Sequence, residues 1–188
     1  MAESTDNVVM YGMKGLIGNL IVFKRFFGKT IVARRPRKSE VEPTADQLAV
    51  QSRFKLAAAY AKSVISDPIR KASYEALTKP GQTAYNMAFA DYYRVPEMSD
   101  PEVSAYTGVA GQKISVRATD IFKVVGVAVR IEQADGTLVE TGNAVLSGNG
   151  IEWEYVTTSL NDALSGSKIR FTASDVPGNQ SVLEVSIP

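Results

Sequence analysis

The spacing of apolar residues changes near residue 111, from a helical period to the strict alternation of strands. Capping signals and helical spacing predict three helices, at residues 45–65, 69–77 and 83–93. Alternation bounded by turn residues predicts about six strands, at residues 113–118, 122–131, 138–146, 151–157, 168–173 and 182–187. A chain that passes from helices to closely spaced strands is typical of an α+β protein whose second part is a β-sandwich.

The ends of the predicted helices carry specific signals. Thr44 and Gln47 have the spacing of a capping box, which predicts the start of the first helix. Asp67 suits the N-cap of the second helix, and Pro68 its first position. The side chains expected inside a small three-helix bundle are Leu48, Phe54, Leu56, Ala58, Tyr60, Ala61, Val64, Ile65, Tyr74, Leu77, Tyr85, Met87, Ala88, Phe89 and Tyr92.

Two β-rich runs, residues 20–26 and 30–34, predict an N-terminal hairpin in which Gly28 supplies the positive φ of the turn. A two-stranded hairpin is only marginally stable by itself in water. We therefore expect it to pack on the helices, on the second module or on another copy of the chain.

Domain organisation follows from these elements. The predicted limits are residues 1–95 for a β-hairpin and helical domain and residues 111–188 for the sandwich, with a proline-containing linker at 96–110. Residues 1–100 contain 15 basic and 10 acidic side chains, whereas residues 101–188 contain 6 and 10. The opposite net charges of the two parts favour head-to-tail attraction between copies.

A basic segment begins within the first predicted strand and extends beyond the second. Its seven cations, which no acidic residue interrupts, are Lys24, Arg25, Lys29, Arg34, Arg35, Arg37 and Lys38. Pro36 lacks an N–H, so the strand is expected to end there. Such a segment can protect an edge strand or face a protein partner, and it can also bind phosphates of a nucleic acid; both interpretations stay open.

The composition excludes several kinds of site. The chain has no cysteine and no histidine, which removes disulfides, thiolate and Ser-His-Asp chemistry and the common zinc sites. We assign no catalytic residue and expect a protein that is not an enzyme and needs no cofactor. No small-molecule substrate is implied.

Several acidic residues are candidates for metal ligands. Asp120, Asp175 and Asn179 lie at predicted strand ends, where such side chains either bind a calcium ion or cap a turn. Turn capping is favoured here, and no metal is assigned. The acids near the predicted linker (Asp91, Glu97, Asp100 and Glu102) would form a carboxylate pair only with a cleft and a raised pKa.

The N-terminal region gives no sign of a membrane segment. Residues 16–27 are apolar but are interrupted by glycine, asparagine and two cations, so they are too short and too polar to span a bilayer. The first residues are acidic and polar, unlike the cationic start of a signal peptide. The expectation is a cytoplasmic protein, or one that belongs to a released, virion-like assembly.

Motifs in the last third of the chain suggest a family. The runs ADGTLVETGNA, WEY and IRFTASDVPGNQS occur together, and the last contains Ala173, Asp175, Gly178, Asn179 and Ser181 in the spacing A-x-D-x-x-G-N-x-S. This region resembles the bacterial immunoglobulin-like repeats, which implies an immunoglobulin-like β-sandwich.

A second set of motifs lies in the N-terminal part: Gly28, Lys29, Thr30, Arg35, Pro36, Lys38, Pro43, Thr44, Gln47, Arg53 and Phe54. With these residues the N-terminal part resembles a family of small uncharacterised proteins that is frequent in Bacteroidetes genomes and their mobile elements. The resemblance implies kinship and no particular chemistry.

Three functional hypotheses follow from the sequence. The leading one is a non-enzymatic structural subunit that self-assembles through its hairpin and basic segment, with other copies of itself as partners. The second is a nucleic-acid-binding protein that uses residues 24–38. The third is an adhesin-like module that binds through loops of the sandwich.

Overall fold

The computed structural model describes residues 2–4 (backbone only), 8–26, 28–36 and 41–188. Within these residues, three helices and twelve strands form a mixed α+β protein in which every strand pair is antiparallel. The chain divides into two compact units, Met1–Ala49 and Val50–Pro188.

The first unit contains a four-stranded sheet. Its strands are β1 (Ala2–Ser4), β2 (Gly15–Ile17), β3 (Ile21–Phe26) and β4 (Lys29–Arg34), in the spatial order β1-β4-β3-β2. The predicted hairpin is confirmed as β3 and β4, and Gly28 has a φ of 75°. The two outer strands escaped prediction because three residues are too few to show an alternating pattern.

The helices begin where the capping signals place them. They are α1 (Ala45–Ser66), α2 (Pro68–Glu75) and α3 (Ala84–Tyr93). The capping box is present: the Thr44 N–H donates to Gln47 Oε1 (3.1 Å), and the Gln47 N–H donates to Thr44 Oγ1 (3.3 Å). Asp67 caps α2 by accepting from two backbone N–H groups, and the Thr83 hydroxyl caps α3.

The helical core is smaller than the sequence predicts. Its buried residues are Ala61, Val64, Tyr74, Ala84, Met87 and Ala88. Four side chains that the pattern placed inside are about half exposed: Leu48, Phe54, Leu56 and Leu77. The two buried residues that α1 contributes to this cluster, Ala61 and Val64, lie in its C-terminal half.

Eight strands build two further sheets. They are β5 (Glu97–Glu102), β6 (Lys113–Thr119), β7 (Val124–Glu132), β8 (Leu138–Asn143), β9 (Val145–Leu146), β10 (Glu152–Val156), β11 (Lys168–Asp175) and β12 (Gln180–Ser186). One sheet has the order β5-β6-β10-β9 and the other the order β12-β11-β7-β8. Buried side chains of both sheets form one hydrophobic core, which includes Val116, Trp153, Val129 and Phe171.

Two differences from the predicted strands have physical causes. Residues 96–110, predicted as a linker, contain β5, which pairs with β6. Pro101 is tolerated in β5 because this is an edge strand and its register is irregular there. The preceding residue, Asp100, has a φ of 50°. The predicted strand 138–146 is split at Ala144, where the chain leaves β8 for the other sheet. The unit Val50–Pro188 contains both of these sheets, α2, α3 and the part of α1 that begins at Val50.

Candidate functional sites

The basic segment lies on and after the central hairpin of the first unit. Lys24 and Arg25 belong to β3, Lys29 and Arg34 belong to β4, and all four side chains are exposed. Arg35, also exposed, follows β4. Arg37 and Lys38 lie outside the described residues.

Strand register separates these cations onto two faces of the sheet. Directly paired residues of an antiparallel ladder share a face, and side chains alternate along each strand. Lys24 pairs with Ile31, and Lys29 pairs with Phe26, so both lysines lie on one face. Arg25 and Arg34 lie on the opposite face. The structure therefore does not bring the described cations together into one basic surface.

The face that carries the two arginines is partly covered by the segment before β2. Phe23 and Thr30 are buried on this face, and the Thr30 hydroxyl donates to the Met10 carbonyl oxygen (3.2 Å). The Arg25 guanidinium lies over the Tyr11 ring, 5.6 Å from its centre.

The other face is apolar, and we call it the apolar face. It consists of Leu16, Val22, Phe26, Ile31 and Ala33, with Lys24 and Lys29 among them. Leu16 and Phe26 are 50% and 59% exposed, and the remaining three are half-buried. Among the described residues of this face none is buried, which is unusual for a sheet with so many apolar side chains.

A second candidate site lies in the second unit, where three aspartates converge. Asp91 is in α3, Asp120 follows β6, and Asp175 ends β11. One carboxylate oxygen from each lies within 4.8 Å of the others. We call this group the carboxylate cluster. Among the ion pairs of the described residues, none involves a member of the cluster.

Asp91 is the innermost member and is fully buried. Its Oδ2 accepts a hydrogen bond from the Tyr74 hydroxyl (2.6 Å), and because that hydroxyl has one hydrogen, the Tyr60 hydroxyl must donate to Tyr74 (2.8 Å). Asp91 Oδ1 is enclosed, and no N–H or hydroxyl group of the described residues donates to it; the Asp91 carboxyl shares a hydrogen bond with Asp120 when one of the two is protonated. Burial, together with the neighbouring Asp120, raises the pKa of Asp91 to about 7, although the Tyr74 hydrogen bond opposes this.

Asp175 is held by Asn179 in the turn between β11 and β12. The Asn179 N–H donates to Asp175 Oδ1 (2.6 Å), and its side-chain amide donates to Asp175 Oδ2 (2.7 Å). The same amide lies 2.8 Å from the Arg94 carbonyl oxygen and 3.2–3.3 Å from those of Tyr92 and Asp91. Asn179 thus caps the C-terminal end of α3 and ties it to the sheet. Burial raises the pKa of Asp175 despite these hydrogen bonds.

Asp120 is the outermost member and is half-buried. Its Oδ2 accepts from the Phe122 N–H (3.3 Å), and the Phe122 ring stacks on Tyr74 at 4.0 Å. A cleft of about 200 Å³, lined in part by Asp120, Glu97 and Arg94, gives access to this carboxylate. The cluster can share a proton or supply oxygen ligands to a hard cation. Asp91 itself is not exposed to solvent.

Sequence reasoning found this site only in part. The predicted turn capping by Asp120 and Asp175 is confirmed by their backbone hydrogen bonds. The sequence groups Asp91 with the acids near the predicted linker and does not predict that it lies beside Asp120 and Asp175. One signal was available: Asp91 lies four residues after Met87 and three after Ala88, so it falls on the buried face of α3, where an acid is rare unless it has a partner.

Comparisons with known proteins add little. The sequence matches no protein-family model, and a comparison with curated proteins finds no match either. Among solved structures, an engineered protein from a structural genomics consortium is similar, with 18% sequence identity and a TM-score of 0.34. That similarity covers 58% of this chain and 29% of the engineered chain. At this TM-score it identifies neither a fold nor a function. Within the described residues, no helix has the length and hydropathy needed to cross a membrane.

Proposed function

We propose that the protein is a non-enzymatic structural subunit that self-associates through the apolar face of its N-terminal sheet. The observation that carries this proposal is the exposure of Leu16 and Phe26 on a face that also holds Val22 and Ile31. Contiguous apolar surface of this kind marks an interaction site in a folded protein. The enclosure of Asp91 and the absence of histidine and cysteine support a role without catalysis.

A second copy of the chain suits this surface. Lys24 and Lys29 place positive charge among the apolar side chains, and residues 101–188 carry four more acidic than basic groups. Opposite charge on another copy would steer association and favour a head-to-tail contact over a symmetric one. The outer strands β1 and β2 also leave sheet edges to which a further strand can add.

We expect the substitution Leu16→Glu to weaken self-association about tenfold or more, because it places a charge within an apolar contact. Light scattering with size-exclusion chromatography over a range of concentrations measures the change. Leu160→Glu is the matched control, since Leu160 is 70% exposed in the second unit. A parent protein that stays monomeric at high concentration and low salt would rule out the proposal.

The nucleic-acid hypothesis has weaker support, because the described cations are divided between two faces and Arg25 already lies over Tyr11. We expect a gel-shift series to show little retardation of DNA or RNA at physiological ionic strength. Binding that weakens steeply with added salt, and that the double substitution Lys24→Ala and Arg34→Ala reduces, would favour nucleic acid instead.

We further propose that the two sheets of the second unit form an immunoglobulin-like sandwich, which would be the projecting or lateral module of the subunit. Immunoglobulin-type domains have the first, second, fifth and fourth strands in one sheet and the third, sixth and seventh in the other. The orders β5-β6-β10-β9 and β12-β11-β7-β8 correspond to this arrangement, with β8 as an added edge strand. The shared core supports the same interpretation, and the core cluster of α1, α2 and α3 supports a small helical bundle beside it.

A further inference from the structure

We infer that the carboxylate cluster of Asp91, Asp120 and Asp175 is a binding site for one divalent cation of the size of Ca²⁺. Three carboxylates that point at one another are not a site by themselves, because acidic residues often cluster without an ion. A second observation here is independent of the clustering. Asp91 is fully buried, and no N–H or hydroxyl group of the described residues donates to its enclosed Oδ1, so a proton shared with Asp120 or a bound cation has to satisfy this oxygen. Native proteins rarely leave such an atom unsatisfied.

The spacing of the oxygens fits a calcium ion. Two ligands of one ion can be separated by at most twice the metal–oxygen distance, which is about 4.6–5.2 Å for Ca²⁺ and about 4.0–4.2 Å for Mg²⁺. The three carboxylate oxygens lie within 4.8 Å of one another, so each pair is close enough to bind one calcium ion. Carboxylate oxygens are also the ligands that hard cations prefer.

The surroundings supply the rest of a cation site. Calcium takes six to eight oxygens in total, so further ligands must come from water. The cleft beside Asp120 admits water, and its lining also includes the carboxylate of Glu97 and the cation Arg94. The groups that act on Asp91 are Tyr74, Asp120 and Asp175, and none of them is basic. The negative charge of the cluster is therefore not balanced by a described ion pair.

The shell around the cluster is built to hold its ligands still. Asn179 fixes both oxygens of Asp175, Tyr74 fixes Oδ2 of Asp91, and the Phe122 N–H fixes one oxygen of Asp120. In each case at least one donor orients the carboxylate. No N–H or hydroxyl donor of the described residues occupies Oδ1 of Asp91, so its lone pairs can bind the ion. This is the role that outer hydrogen-bond partners have in metal sites.

The test is a titration of the full chain, first treated with a chelator, with CaCl₂ alone. We expect a saturable rise in Tm of roughly 5 °C at a calcium concentration about 100-fold above Kd, and a matching heat in calorimetry. Asp120→Asn should abolish both while the protein stays folded, because it removes a like charge from the half-buried end of the cluster. Asp135→Asn, a change of the same type in an exposed turn, should respond as the parent does.

Three results would overturn the inference. One is a Tm and a calorimetric trace that do not change with calcium. Another is an Asp120→Asn variant that keeps the full response. The third is an equal rise with MgCl₂ in the parent and in Asp120→Asn, which would indicate a general effect of salt. Terbium luminescence sensitised by Tyr74 and Tyr60 gives an independent readout, and it should be lost in Asp120→Asn and kept in Asp135→Asn.

Discussion

In the presence of a chelator, the protein should lose roughly 2–3 kcal/mol of unfolding free energy as the pH rises from about 5 to 7.5. The main source is Asp91, whose pKa is raised to about 7 by burial and by the carboxylate of Asp120. In the unfolded chain the same group has an ordinary aspartate pKa near 3.8. Over this range the folded state therefore holds a proton that the unfolded state has already released.

The sign follows from that difference. A raised pKa in the folded state contributes stability that is complete below the unfolded pKa and is lost as the pH rises through the folded value. Asp175, whose pKa is also raised, acts in the same direction. The groups with lowered pKa values are exposed carboxylates such as Glu102 and Asp135; their effect belongs to more acidic pH and has the opposite sign.

Urea denaturation at a series of pH values measures this effect. The variant Asp91→Asn should flatten the profile between pH 5 and 7.5, because it cannot ionise and keeps an oxygen for the Tyr74 hydroxyl. Asp135→Asn should keep the slope of the parent. An unchanged unfolding free energy across this range in the parent, or an equal slope in Asp91→Asn, would show that Asp91 does not titrate as its surroundings indicate.

The substitution Asn179→Ala should cost about 3 kcal/mol of unfolding free energy. The Asn179 amide has two hydrogens, so its two short contacts, to Asp175 Oδ2 (2.7 Å) and the Arg94 carbonyl oxygen (2.8 Å), carry most of its energy. Without the amide, Asp175 Oδ2 and the Arg94 carbonyl oxygen at the end of α3 lose this donor. A buried group that loses its partner costs more than the bond itself contributes.

Gln180→Ala is the control for this variant. Gln180 is the next residue, its side chain is exposed, and its single described contact, to Ser174 Oγ, is long (3.5 Å). It should change stability by less than about 0.5 kcal/mol. If Asn179→Ala were as stable as Gln180→Ala in urea denaturation at pH 7, the described hydrogen bonds of Asn179 would not be the link between α3 and the sheet.

Local signals in the sequence were sufficient for much of the fold. The capping residues Thr44 and Asp67 start their helices where they were expected to, because a cap is decided by contacts within four residues. The turn between β7 and β8 is equally local: the pair Asp135-Gly136 separates two predicted strands, and Gly136 has a φ of 89°. Clean alternation in residues 151–157 predicts that Trp153 and Tyr155 share a face, and both are buried.

What depends on contacts between distant residues could not be predicted in this way. Strand β5 was hidden by Pro101, because only pairing with β6 shows that an edge strand can accept a proline there. The division of the lysines and arginines between two faces follows from the register of β3 against β4. Leu48 and Leu77 fit a helical apolar pattern and are nevertheless exposed, since a pattern identifies a face and does not supply a neighbour to cover it.

The carboxylate cluster shows the same division most clearly. The sequence by itself determined that Asp175 and Asn179 lie at a predicted strand end, and it contained the local spacing that puts Asp91 on the inner face of α3. Only the tertiary structure decided that these residues meet Asp120, because Asp91 and Asp175 are far apart in sequence and come together through the packing of α3 against the end of β11. Their proximity, and the raised pKa values that result from it, are properties of that packing and of no single segment of the chain.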